Sequence, residues 1–65
     1  MKVYRVNYFK GKEIIFSLMY TSKKSAFRDV EYFKSGDATD IWMMVYVPDR
    51  SGCLKIESNE MVWEK

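Results

Sequence analysis

Residues 2–9 alternate, with Tyr4, Val6 and Tyr8 on one side and Val3, Arg5, Asn7 and Phe9 on the other. A period of two, built from β-branched and aromatic residues, predicts a strand. Lys10-Gly11-Lys12 then supplies a turn, because Gly11 is free to take a positive φ. Residues 14–21 predict a second strand. Ile14, Phe16, Leu18 and Tyr20 form one face, and Ile15, Ser17, Met19 and Thr21 the other. The short connection makes the pair a hairpin.

The period changes at Thr21-Ser22. Ser22 is suited to an N-cap, since its hydroxyl can accept from an orphan helix N–H. Ala26, Phe27, Val30 and Phe33 follow at helical spacing, with Lys24, Arg28, Glu31 and Ser35 largely opposite. This predicts an amphipathic helix. Gly36 stands where a left-handed C-terminal residue is expected. Residues 37–40 read as a polar loop, and IWMMVYV at 41–47 is the strongest strand in the chain. Pro48-Asp49-Arg50-Ser51-Gly52 predicts a turn with a bulge, opened by Asp49 and closed by Gly52. Residues 53–57 are the return strand. Ser58-Asn59-Glu60 reads as another turn, with residues 61–63 a short last strand or a docked tail.

Hairpin, helix, hairpin predicts a two-layer α+β domain over residues 1–65, ββαββ, with one helix on a four-stranded, mainly antiparallel sheet. The element order and length resemble the immunoglobulin-binding domains of protein G and the wider β-grasp group. The resemblance implies a sheet whose first and last strands form a central parallel pair; a simple meander does not. It implies no binding residues, because no motif is shared.

Composition narrows the picture. A chain of 65 residues holds one small core, near the lower limit of independent stability. Its one cysteine permits no intrachain disulfide, and the absence of histidine removes the common triads and zinc sets. A lone thiol fits a reducing compartment, so the cytoplasm is expected, that of a host if the gene is viral. The N-terminus alternates rather than forming a signal-peptide apolar run. Eleven basic residues against nine acidic ones give a net charge of +2, too balanced to select nucleic acid or membrane.

Candidate chemistry is sparse. Cys53 has no base nearby in sequence and reads as a small apolar residue. Asp37 and Asp40 read as loop polarity rather than a cation site, so neither a metal nor a cofactor is expected. No catalytic residue is assigned and the chain is not expected to be an enzyme. Lys10, Lys12, Lys23, Lys24 and Arg28 are candidates for a basic patch around the helix start, where free N–H groups favour anions; solvated surface lysines are the blander account.

The functional clue is an apolar surplus. Hydrophobic residues make up 48% of the chain and aromatics 17%, more than one helix can cover. A sheet with a helix on one face should be polar on the other. Residues 41–47 break that rule: Ile41, Met43, Val45 and Val47 fill one side, and Trp42, Met44 and Tyr46 the other. Trp42, Met44, Tyr46, Trp63, Tyr4 and Tyr8 are therefore the candidate partner-binding side chains. The expected function is a small protein-binding module: an adaptor, inhibitor or modulator of the compact kind common among phage and mobile-element regulators. A homodimer or a tail folded over the surplus is the bland account. A single-stranded nucleic-acid binder, stacking bases on sheet aromatics, is the alternative.

Overall fold

In a computed structural model that describes residues 1–65, the alternating N-terminal segments form β1 (Val3–Lys10) and β2 (Glu13–Tyr20). Gly11 takes φ +64° between them, while no other turn residue there is positive, the pattern of a II′ hairpin. Ser22 caps α1 (Lys23–Phe33), its hydroxyl accepting from the Ser25 N–H at 3.4 Å. Strands β3 (Asp40–Pro48) and β4 (Leu54–Glu64) follow. Their turn is built on Asp49, whose carboxylate accepts from the Ser51 N–H (2.8 Å), the Ser51 hydroxyl (2.7 Å) and the Cys53 N–H (3.1 Å). Those bonds hold the Asp49 carboxyl below its ordinary range, the Ser51 hydroxyl contributing most. Gly52 closes the turn at φ +88° and donates its N–H to the Asp49 carbonyl.

The four strands form one antiparallel sheet in the order β2-β1-β3-β4, with α1 lying over β1 and β2. The ββαββ order and the two-layer arrangement are those expected from the sequence. The β-grasp strand order is not. β4 is an edge strand paired only with β3, and the central pair is β1 and β3, antiparallel. Physically, α1 carries the chain from β2 across β1 to β3, and the short second turn then lays β4 outward beside β3.

Three local expectations are also corrected. Residues 58–60 do not turn: β4 runs unbroken for 11 residues and absorbs its irregularity as two register shifts opposite β3. Ile14 leaves the helix-facing row, because a shift between Tyr8 and Phe9 pairs Phe9 with Ile14 and makes Ile15 the extra residue. Gly36 does not have a positive φ, and the helix ends on right-handed Lys34. What Gly36 provides is space, since a Cβ there would lie 3.3 Å from the Phe33 carbonyl oxygen.

The core lies between α1 and β1–β3. It comprises Val6, Tyr8, Ala26, Val30, Ala38, Ile41 and Met43. Tyr8 stacks on Phe16 at 4.4 Å between ring centroids, and Phe33 meets both rings edge-on. Only eight of 65 residues are buried, so this core is small even for the chain length.

Candidate functional site: the open sheet face

The strand register arranges the face away from α1 in rows. Met19, Arg5, Met44 and Asn59 form one; Ser17, Asn7, Trp42 and Met61 the next; Val3, Tyr46 and Ile56 a third. No segment of the chain crosses these rows, because the C-terminal residues lie within the sheet as β4. The face is divided lengthwise. Its β3–β4 half is apolar, and its β1–β2 half carries Arg5, Asn7 and Ser17 in the middle. Met19 is 61% exposed, Ile56 56% and Met61 45%, values that belong to unpartnered apolar surface.

Trp42 is held in place. Its indole N–H donates to the Asp40 carboxylate at 2.7 Å. The other Asp40 oxygen accepts from the Thr39 hydroxyl at 2.8 Å, and the Thr39 oxygen accepts from the Gly11 N–H at 2.9 Å. The first hairpin turn is thus tied through two side chains to the indole. Asn7, the one buried polar residue, has its side-chain oxygen satisfied by the Ser17 hydroxyl at 2.6 Å. Arg5 has no carboxylate partner: the chain's ion pairs are Lys2–Glu57 and Lys34–Glu31. A fixed tryptophan, a tyrosine and a free arginine among methionines is the composition of an interface centre.

Of the six partner-binding candidates, Trp42, Met44 and Tyr46 come together on this face. Tyr4, Tyr8 and Trp63 lie on the other, packed in or against the core. Tyr8 is 0% exposed and touches no partner. The alternation of β1 forces this result, since Tyr4 and Tyr8 share a side with Val6. Trp63 follows from its pairing with Ile41. Sequence reasoning missed Ile56 and Leu54, which the register sets beside Tyr46 and Pro48. Counting back from the Pro48–Gly52 turn would have found them.

The basic candidates do not assemble. Lys10 and Lys12 flank the β1–β2 turn, whereas Lys23 and Lys24 begin the helix beside the far end of β2. The eight residues of β2, or about 25 Å, separate the two ends. Lys23 lies over the Phe27 ring at 5.8 Å, and Arg28 is exposed on α1. A nucleic-acid platform would also need the aromatics together, and of the sheet tyrosines and tryptophans Trp42 and Tyr46 reach the open face, joined there by Phe9, while Tyr4, Tyr8 and Trp63 lie on the other.

On the covered side, the Tyr20 hydroxyl donates to the Asp29 carboxylate at 2.8 Å. The Tyr8 hydroxyl lies beside that of Tyr20, which acts against burial on its pKa, without the two reaching good hydrogen-bond geometry. Burial raises both phenols above their ordinary value, and the bond to Asp29 raises Tyr20 further. Cys53 is a free, exposed thiol in the second turn. No three of the carboxylate and thiol groups cluster as a metal set would require. No helix is long and apolar enough to cross a membrane. Comparison with family models, curated proteins and solved structures returns no match to this chain.

Proposed function

We propose that this chain is a non-catalytic protein-binding module, an adaptor, inhibitor or modulator acting in the cytoplasm through its open sheet face. The observation that carries the reading is the row structure of that face. Trp42, Met44 and Tyr46 stand on one strand, half-buried by their neighbours in the sheet, and are flanked by the exposed Ile56 and Met61, with no other segment of the chain lying over the row. Such side chains bury much area at small ordering cost. The indole bond to Asp40 supports the reading further, because Trp42 is already ordered before any partner arrives.

The test compares the wild type with Met44→Asp, which places a carboxylate in the patch and leaves the core side of β3 untouched. Immobilised wild type should retain a protein that Met44→Asp loses and Lys24→Glu keeps. Salt-sensitive retention of single-stranded DNA or RNA, abolished by Trp42→Ala, would instead favour the nucleic-acid alternative. Indifference of all binding to Met44→Asp would remove the face from the function.

A further inference from the structure

We infer that the outer edge of β2 pairs, antiparallel, with the same edge of a second copy of this chain, about a two-fold axis through Leu18. The contact uses the backbone of an edge strand and is independent of the open face.

The ladder fixes the chemistry of this edge. The Phe9 carbonyl accepts from the Thr39 N–H at 2.7 Å, so Phe9 turns its backbone groups toward β3. Successive residues of a strand alternate in this respect. Tyr8, Val6 and Tyr4 therefore turn theirs toward β2, where the register sets them opposite Phe16, Leu18 and Tyr20. Ser17 and Met19, between those three, direct their N–H and C=O groups out of the sheet. β2 has no neighbour on that side, and no turn or loop bond reaches either residue. Donors and acceptors that alternate at strand spacing are met in full by another strand.

The two edges of the sheet differ in how they are guarded. β4 carries Lys55, Glu57, Glu60 and Glu64, and its register shifts twice against β3. Charges and bulges of this kind keep an edge from pairing. The one irregularity of β2 lies at Ile15, near the turn, and residues 16–20 run in regular register. No charged residue stands between Glu13 and Lys23, and Ile14, Ile15, Phe16 and Met19 are all exposed.

The strand that matches this edge is β2 itself. An axis through Leu18 sets Ser17 of each copy opposite Met19 of the other. The outward groups then meet as hydrogen-bonded pairs, with about four bonds across the axis. Phe16 meets Tyr20 on the helix side and Leu18 meets its mate, so apolar groups face apolar groups and no charge lies opposite another. A charged strand would find no counter-charge here. The guarded β4 edges are left at both ends of the joined sheet, so the assembly closes at the dimer.

Sedimentation equilibrium of the intact chain from about 1 μM to about 1 mM tests this, with amide exchange of Ser17 and Met19 followed over the same range. A monomer–dimer equilibrium is expected, with both amides exchanging more slowly as the dimer fills. Met19→Pro removes an outward N–H and no bond of the β1 ladder, at an edge position where proline is tolerated. It should weaken the dimer at least about tenfold, since each dimer loses this donor from both copies. Met19→Ala keeps the N–H and should still dimerise. Met44→Asp, on the open face, should leave the equilibrium unchanged, which separates this contact from the function proposed for that face. Circular dichroism checks the fold of each variant; should Met19→Pro not fold, the exchange of the two wild-type amides decides. A monomer throughout the range overturns the inference. So does a dimer in which these amides exchange as in the monomer, or one that folded Met19→Pro leaves intact and Met44→Asp disrupts.

Discussion

Removing one hydroxyl from the core should make this protein more stable. The Tyr8 side chain is fully buried, and its hydroxyl, which lies beside that of Tyr20, reaches no partner with good hydrogen-bond geometry. Leaving such a group dry costs about 1–3 kcal/mol relative to a satisfied or absent one. Tyr8→Phe deletes the group and keeps the ring that stacks on Phe16 at 4.4 Å and meets Phe33 at 5.3 Å. A small cavity offsets part of the gain, so we expect a net stabilisation of about 1 kcal/mol. In a domain of this size that raises Tm by roughly 4–8 °C. The same change at Tyr20 should have the opposite sign. Its hydroxyl donates to Asp29 at 2.8 Å, and losing a bond to a charged acceptor costs about 1.5–3 kcal/mol. Urea unfolding followed by circular dichroism, at one protein concentration for all variants, separates the two cases. A loss of more than about 0.5 kcal/mol in Tyr8→Phe would show that the hydroxyl has a partner, and the account of this pocket would fall.

The same phenols set the alkaline limit. Both are raised in the folded chain from an ordinary value of 10.0, so the unfolded chain ionises first. Their contribution is complete below pH 10 and declines as pH rises toward the folded values. Urea midpoints from pH 9 to 11 should fall more steeply for the wild type than for Tyr8→Phe. Asp40→Ala removes the acceptor of Trp42 and Thr39 together; it should cost about 2 kcal/mol and shift the Trp42 emission, and an unchanged spectrum would show that the indole is held by something else. Gly52→Ala forces an L-residue to φ +88° and should cost about 1–2 kcal/mol, with increased amide exchange confined to the β3–β4 turn.

Much of the fold was legible because its signals are local. The two-residue period of β1, the Ser22 cap, and Gly11 and Gly52 in their turns each act over a few residues, and each of these features stands where its pattern put it. Strand order is a different kind of fact. It depends on which edge the helix delivers β3 to, and no window of the sequence carries that, so the resemblance to the β-grasp order failed at β4. The bulge at Ile15 was hidden for a related reason. An unbroken run of apolar residues gives no sign of where the register slips, and Ile14 changed rows as a result. For the site, alternation sufficed to gather Trp42, Met44 and Tyr46. It also placed Tyr4 and Tyr8 beside Val6, so their grouping with the open-face set conflicted with a pattern already visible in β1. The polar middle of the face, Arg5 with Asn7 and Ser17, came from pairing and not from any one strand.

The helix and the open face together divide the molecule. An 11-residue helix is about 16 Å long and 10 Å wide, while four strands span roughly 19 Å. One helix therefore covers about half of this sheet, and it lies on β1 and β2. Phe27, Val45 and Val62 are left lining a groove on the helix side of β3 and β4, and the opposite side of the same strands carries Trp42, Tyr46, Ile56 and Met61. Both faces of the β3–β4 hairpin are thus apolar where both faces of β1 are committed, one to the core and one to Arg5 and Asn7. The core draws on β1, α1 and the inner side of β3, through Ile41 and Met43, while β2 has no fully buried residue. The surplus stands on the outer side of β3 and β4, so one strand, β3, anchors the fold with one face and carries Trp42, Met44 and Tyr46 on the other.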